Sequence, residues 1–296
     1  MRRSFGARVT LGLAVFVIVA WTLVPIFVMF WASILPVKDL FSGGLVQWSS
    51  GMGLGTYRAL FGFEEINEVF GGQEVALQTG FINSALVSLM VAVLGTVMAV
   101  AGGYVFGRFR FRYKQPLLFS LLSVRMLPPI ALLIPYYMLF SVLSLVGTYL
   151  GLVLTYLTAI VPLLTWVLMG FFAGLPLEIE RAARMDGCGR VAAFWYVTLP
   201  MALPGVAAAF IIAAISTWNE LLFGLILTGG TARLTLSAAL LSFSPTMTST
   251  GSSAFGLPLF SAGSALSALP PLLLAFGAQR FITRLNISDP VTISVD

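Results

Sequence analysis

VALQTGFINSALVSLMVAVLGTVMAVAGGYVFG, residues 75–107, decides the fold. It is uncharged from end to end, and a helix needs only ~20 apolar residues to cross the hydrocarbon core of a bilayer. Working outward, a comparable run precedes it at Val9–Val37. After it, the only charge between Gln115 and Leu177 is Arg125, which leaves room for two crossings. Residues 141–151 (SVLSLVGTYLG) divide that stretch, because Gly and Ser weaken a helix and suit a turn. A further run extends from Val191 to Asn219 and past Glu220 to Ala232; the last covers Leu234–Gln279, whose early Ser/Thr/Gly-rich part reads as loop. The sequence therefore predicts an all-α polytopic membrane protein with six helices, at about 9–35, 82–107, 116–141, 149–174, 203–228 and 257–280. Composition agrees: the 296 residues are 59% hydrophobic and 9% charged, with a mean hydropathy of +1.00. A soluble domain carries about 25% charged residues.

What is scarce excludes whole classes of function. With no histidine and one cysteine, Cys188, an imidazole metal centre, a histidine triad and a disulfide scaffold lack their raw material, so no metal is expected. Cys188 reads as an inert cytoplasmic thiol. The formal charge of +5 is a matter of topology. Arg2, Arg3, Arg8, Arg108, Arg110, Arg112, Lys114, Arg181, Arg184, Arg190, Arg280 and Arg284 fall on one side of the predicted spans; only Lys38, Arg58 and Arg233 fall on the other. The positive-inside rule then puts both termini in the cytoplasm, and nucleic acid is not expected as a partner. Arg2, Arg3 and Arg8 resemble a leader, but the apolar run after them exceeds the ~7–15 residues of a signal peptide, so a retained helix is expected. Trp48, Trp166 and Trp218 fit interfacial belts.

The chain has no G-x-x-x-x-G-K-[ST] phosphate cradle, so it should not hydrolyse ATP itself. Its spans hold only Arg125 and Glu220 as charges, too few for a proton relay. Three classes stay open: a permease driven by separate ATPases, a secondary carrier, or a membrane scaffold.

Residues 174–205 read GLPLEIERAARMDGCGRVAAFWYVTLPMALPG. Pro176 suits a helix start. Glu178 and Glu180 complement the positive end of the macrodipole, and Arg181 and Arg184 the negative end. Glu180 and Arg184 are spaced for an i,i+4 pair. Gly187 and Gly189 break this helix, and a second, roughly Arg190–Thr198, is expected to stop at Leu199-Pro200. The product is a short helix–turn–helix on the cytoplasmic surface. On helix physics alone it is a solvated, charge-balanced interfacial segment.

Its spacing carries a resemblance. Ala182-Ala183, three residues, Gly187, nine residues and Val197-Thr198-Leu199-Pro200 resemble the EAA loop of bacterial ABC import permeases. Asn83-Ser84, YVFGRFRF at 104–111, MLPP at 126–129, LIP at 133–135, TYLGL at 148–152, GFF at 170–172 and TWNE at 217–220 are similar to the carbohydrate-importer branch. Together, residues ~80–285 look like the second permease subunit of maltose-type importers. The resemblance implies alternating-access import of sugars, oligosaccharides or polyols, with glycerol phosphates as an alternative cargo. It implies a second homologous permease, two ATPase subunits that use ATP and Mg, and an extracytoplasmic solute-binding protein. This chain would bind no cofactor and would sit in a bacterial or archaeal inner membrane. It also implies an organisation into an N-terminus at 1–8, a first span and external loop at 9–80, a transport core at 81–286 and a tail at 287–296.

By the same resemblance, residues 175–200 dock on the ATPase through Glu180, Arg181, Ala182, Ala183, Asp186, Gly187, Leu199 and Pro200. Arg181 stands where the family has the glutamate that pairs with an ATPase arginine. Either Glu180 supplies that pairing, or docking rests on shape, Gly187 and the apolar face of Ala182, Ala183 and Met185. The ending NISDPVTISVD departs from the family's Gly-rich tail.

Three intramembrane features remain. Glu220 lies ~24 Å along a helix from Pro204 at ~1.5 Å per residue. Asn219 and Glu220 either line the translocation path or hydrogen-bond between helices. Pro128-Pro129 must break the third helix. Arg125 just before them marks either a gate in the path or a packed kink with the guanidinium snorkelling or paired.

Overall fold

The computed structural model describes residues 5–34, 54–61, 73–241 and 253–282. Every regular element among them is helical: α1 (Phe5–Ile34), α2 (Gly55–Leu60), α3 (Gln73–Arg108), α4 (Lys114–Ser123), α5 (Pro129–Val142), α6 (Tyr149–Gly174), α7 (Leu177–Met185), α8 (Arg190–Ala193), α9 (Leu199–Trp218), α10 (Leu222–Thr228), α11 (Leu236–Leu241) and α12 (Ser253–Ile282). A 3₁₀ turn, Val124–Met126, follows α4, and a π turn, Phe194–Thr198, joins α8 to α9. Among the described residues, five helices are long and apolar enough to span a membrane, and six if the bent α4–α5 pair is one crossing. Residues 1–4 of the predicted N-terminus (1–8), most of the external loop after α1 and the predicted tail (287–296) lie outside the described residues.

Chain contacts divide the molecule into two units, with the boundaries falling within α3, α11 and α12. In the first unit (1–78 and 239–269), α1 is apolar and exposed from Thr10 to about Phe30, as a lipid-facing span should be, and its last turn is covered. Its end is tied to α2 by Ser33 Oγ and Tyr57 Oη at 2.8 Å. Gln78 donates to the Leu60 carbonyl, and Gly263 leaves just enough room for Leu240.

The second unit (79–238 and 270–296) carries the main core. Along α3, buried pairs alternate with exposed pairs: Val87-Ser88, Val91-Ala92 and Gly95-Thr96 face in, while Leu89-Met90, Val93-Leu94 and Val97-Met98 face out. That period matches one face of a helix. The inward face is made of small residues, so α6 packs closely, and a Cβ on Gly103 would stand 2.7 Å from Leu168 Cβ. Backbone proximity of this kind drives helix association where lipid removes the hydrophobic drive. Leu152, Leu164, Leu168 and Phe172 of α6 are fully buried between α3 and α9.

Three expectations are corrected. The 203–228 helix is not continuous: α9 ends at Trp218, and α10 starts afresh at Leu222. Nor does the helix beginning at Arg190 stop at Leu199-Pro200. Pro200 falls in the first turn of α9, where its missing N–H costs least, the π turn before it carries the backbone on, and the apolar span runs from Arg190 to Trp218. Trp218 is not a belt residue; it is buried, with its ring edge-on to Phe81 at 5.2 Å. The Pro128-Pro129 break is present, with the two halves bent by 94°. The turn at 141–151 is present too, and Gly147 takes φ +74° there.

Candidate functional site

The loop at 175–200 is built from the ends of long helices. α6 stops at Gly174, and Pro176 precedes α7 in an extended conformation. Glu178 and Glu180 occupy the first turn of α7 and Arg184 the last. The helix closes with a Schellman cap: Cys188 N–H donates to the Ala183 carbonyl at 3.1 Å and Gly187 N–H to the Arg184 carbonyl at 3.3 Å. Gly187 has φ +93° and open space around its missing Cβ, so the backbone conformation, not crowding, calls for glycine.

Glu180 turns inward. Its Oε1 accepts from Tyr104 Oη at 2.8 Å and its Oε2 from Thr198 Oγ1 at 3.1 Å. Arg108 Nε lies 3.5 Å from the same Oε2, with the side chains of Arg108 and Glu180 7% and 14% exposed. Arg108 also donates to the Leu175 carbonyl at 2.9 Å, which caps the end of α6. One ion pair thus joins α7 to α3, to α6 and to the π turn. The outer surface of the loop is made by other residues: Arg181, Ala182, Arg184, Met185, Asp186 and Gly187 are exposed, Ala183 is half-buried, and Met185 reaches 83%. Leu199 is half-buried and Pro200 exposed at the start of α9.

Of the intramembrane residues, Glu220 is a cap. Oε1 accepts from Phe223 N–H at 3.1 Å, while Oε2 accepts from Gly224 N–H at 3.2 Å and Tyr156 Oη at 2.7 Å. A carboxylate at the start of α10 satisfies N–H groups that have no partner inside the helix and favours the positive end of its dipole. Asn219 is exposed and donates back to the Ile215 carbonyl. Arg125 sits in the 3₁₀ turn before the 94° break and donates to the Ala159 carbonyl at 3.1 Å.

Sequence reasoning missed Tyr104, Arg108, Thr198 and Tyr156 as partners of the two half-buried acids. The signal was partly present, since Tyr104 and Arg108 share one helix face four residues apart within YVFGRFRF, and Thr198 precedes Leu199-Pro200. Nothing in one sequence pairs them with Glu180.

Comparison with known proteins gives this architecture a family. Residues 92–286 match the binding-protein-dependent transport system inner membrane component. The trehalose transport system permease protein SugB of Mycobacterium tuberculosis is 31% identical over 267 residues, 90% of each chain. The maltodextrin transport system permease protein MdxG of Bacillus subtilis is 30% identical, covering 68% of this chain and 70% of its own. A bacterial ABC transporter that imports alginate, known from its crystal structure, shares the fold at a TM-score of 0.77 and 18% identity, over 95% of this chain and 98% of that one. The chain belongs to the binding-protein-dependent transport system inner membrane component family: it is a multi-pass transport permease and not an enzyme.

Proposed function

We propose that this permease is one transmembrane half of an ATP-driven importer of sugars, oligosaccharides or polyols, worked from the cytoplasm by ATPase subunits docked on residues 175–200. A second homologous permease completes the pore, an extracytoplasmic binding protein delivers solute, and ATP and Mg are used in the ATPases. Both termini face the cytoplasm, as the bias of Lys and Arg supports. The carbohydrate cargo is supported by the trehalose and maltodextrin permeases among its relatives.

One observation carries the mechanism. α7 presents an exposed outer face while its inner side is fixed to three span ends through Glu180 and Arg108. A partner pushing on Arg181, Ala182, Met185 and Gly187 would displace α7 as a rigid lever, because the buried ion pair resists sliding. Glu180 then transmits force and does not grip the ATPase. The outer face carries Arg181 and Arg184 with Glu178 and Asp186, and Arg181 seeks an acidic residue in the ATPase cleft. An ion-coupled carrier is disfavoured because Glu220, the acid that the sequence sets among the apolar runs, is engaged as a helix cap.

Reconstitution with the candidate ATPase and binding protein tests the reading. Saccharide uptake that requires ATP, and that Gly187→Asp abolishes while membrane insertion persists, is the expected result. Uptake without nucleotide, or unchanged coupling in Gly187→Asp, defeats it.

A further inference from the structure

The break between α4 and α5 opens a chamber of about 200 Å³, lined by Arg125, Tyr136, Thr155, Thr158, Ala159 and Phe223 among others. Its depth follows from α6. Ala159, which accepts from Arg125, stands roughly 15 Å from the Tyr149 end and roughly 22 Å from the Gly174 end at ~1.5 Å per residue. Arg125 is therefore held near the bilayer midplane, where an arginine belongs only against protein or a water-filled cavity. Among the described residues it makes one hydrogen bond and no ion pair, so the rest of its donors point at no fixed protein acceptor.

The remaining polar atoms complement it. Thr158 Oγ1 gives its proton to the Thr155 carbonyl at 2.7 Å, so Tyr136 Oη, 2.6 Å away, must donate to Thr158. That leaves acceptor lone pairs on the phenol. The chamber thus offers guanidinium donors and a phenolic acceptor, with the buried Phe223 ring in its wall, edge-on to Tyr136 at 5.8 Å. A sugar hydroxyl accepts one hydrogen bond and donates another. The volume holds roughly seven waters at ~30 Å³ each, so the site is wet when no solute is present.

We infer that this chamber is a saccharide subsite contributed by this chain to the translocation path, with Arg125 donating to a hydroxyl of the passing sugar and Tyr136 accepting from it. The inference rests on the carbohydrate-import reading and adds a place where this subunit touches cargo. Arg125 holds solute through a few exchangeable hydrogen bonds, strong enough to admit a sugar and weak enough to release it.

Two measurements on the assembled transporter in proteoliposomes test it. The first uses a charged, water-soluble methanethiosulfonate on the Arg125→Cys variant, with peptide mass mapping to separate that site from Cys188. Modification at position 125, slowed by millimolar trehalose or maltotriose, is expected; an unmodified residue 125 overturns the wet chamber. The second follows uptake of radiolabelled trehalose and maltotriose. Arg125→Gln should lower kcat/KM about tenfold, Arg125→Lys by less, while thermal stability and ATP-dependent complex assembly stay at wild-type values. Uptake in Arg125→Gln equal to wild type overturns the subsite. If wild type takes up no saccharide or polyol, the carbohydrate reading fails, while labelling at 125 without protection by a transported sugar overturns the subsite on its own evidence.

Discussion

Replacing Arg108 by Leu should free α7 from the spans it is tied to. The guanidinium lies 3.5 Å from Glu180 Oε2, with both side chains largely shielded from water. At an effective dielectric of ~20 the Coulomb attraction at that distance is about 5 kcal/mol, an upper bound before desolvation is subtracted. Removing one member of a buried pair costs about 3–5 kcal/mol, because the other charge stays behind. Glu180 keeps Tyr104 and Thr198 as donors, which puts Arg108→Leu near the lower end, about 3 kcal/mol. Local opening of α7 then becomes about a hundredfold more populated, at ~1.4 kcal/mol per tenfold. Trypsin reads this directly, since Arg181 and Arg184 lie on α7 and a helix must open before a protease can cut it. In the permease purified in detergent, cleavage after these two residues should accelerate by roughly two orders of magnitude, with cleavage after Arg112 as the control. The Arg108→Leu, Glu180→Gln double variant should cost less than the two single changes together, since it strands no buried charge. Cleavage within threefold of wild type, or strict additivity, refutes the idea that this pair fixes the lever.

Gly187→Ala forces a Cβ into φ +93°, costs about 1–2 kcal/mol locally, and should reduce the ATPase recovered by co-purification without changing membrane insertion. Glu220→Ala removes the cap of α10 and leaves the Tyr156 hydroxyl without its acceptor; a loss of about 1–3 kcal/mol is expected as a lower melting temperature in detergent. Gly103→Val sets a branched side chain where a Cβ already meets Leu168 Cβ at 2.7 Å. Separation of α3 from α6 at a cost of about 1–3 kcal/mol or more should appear as poor folding yield, while Gly170→Ala, with nothing near its Cβ, should be neutral by the same measure.

The spans were legible because bilayer thickness acts on one segment at a time. Runs such as 75–107 need no knowledge of their neighbours to be read as crossings, and Pro128-Pro129 breaks a helix wherever it occurs. Gly187 was legible for the same local reason. The loss of continuity at Asn219–Leu221 was not, because hydropathy persists across it. The passage through Leu199-Pro200 was not, because a π turn upstream carries the backbone into it.

By itself, the sequence determined an all-helical membrane chain, its turns and the positions where the backbone must bend, since these depend on the transfer of each side chain into lipid and on local dihedral preference. The tertiary structure alone decided what each charge is for. Glu180 could have faced outward on α7, yet it is drawn in by Tyr104 and Arg108 from a helix more than seventy positions earlier; Glu220 closes a helix end and Arg125 opens on a chamber. A buried charge is governed by whichever donors the fold brings within about 3 Å, and that proximity is a property of packed helices, which no single segment encodes.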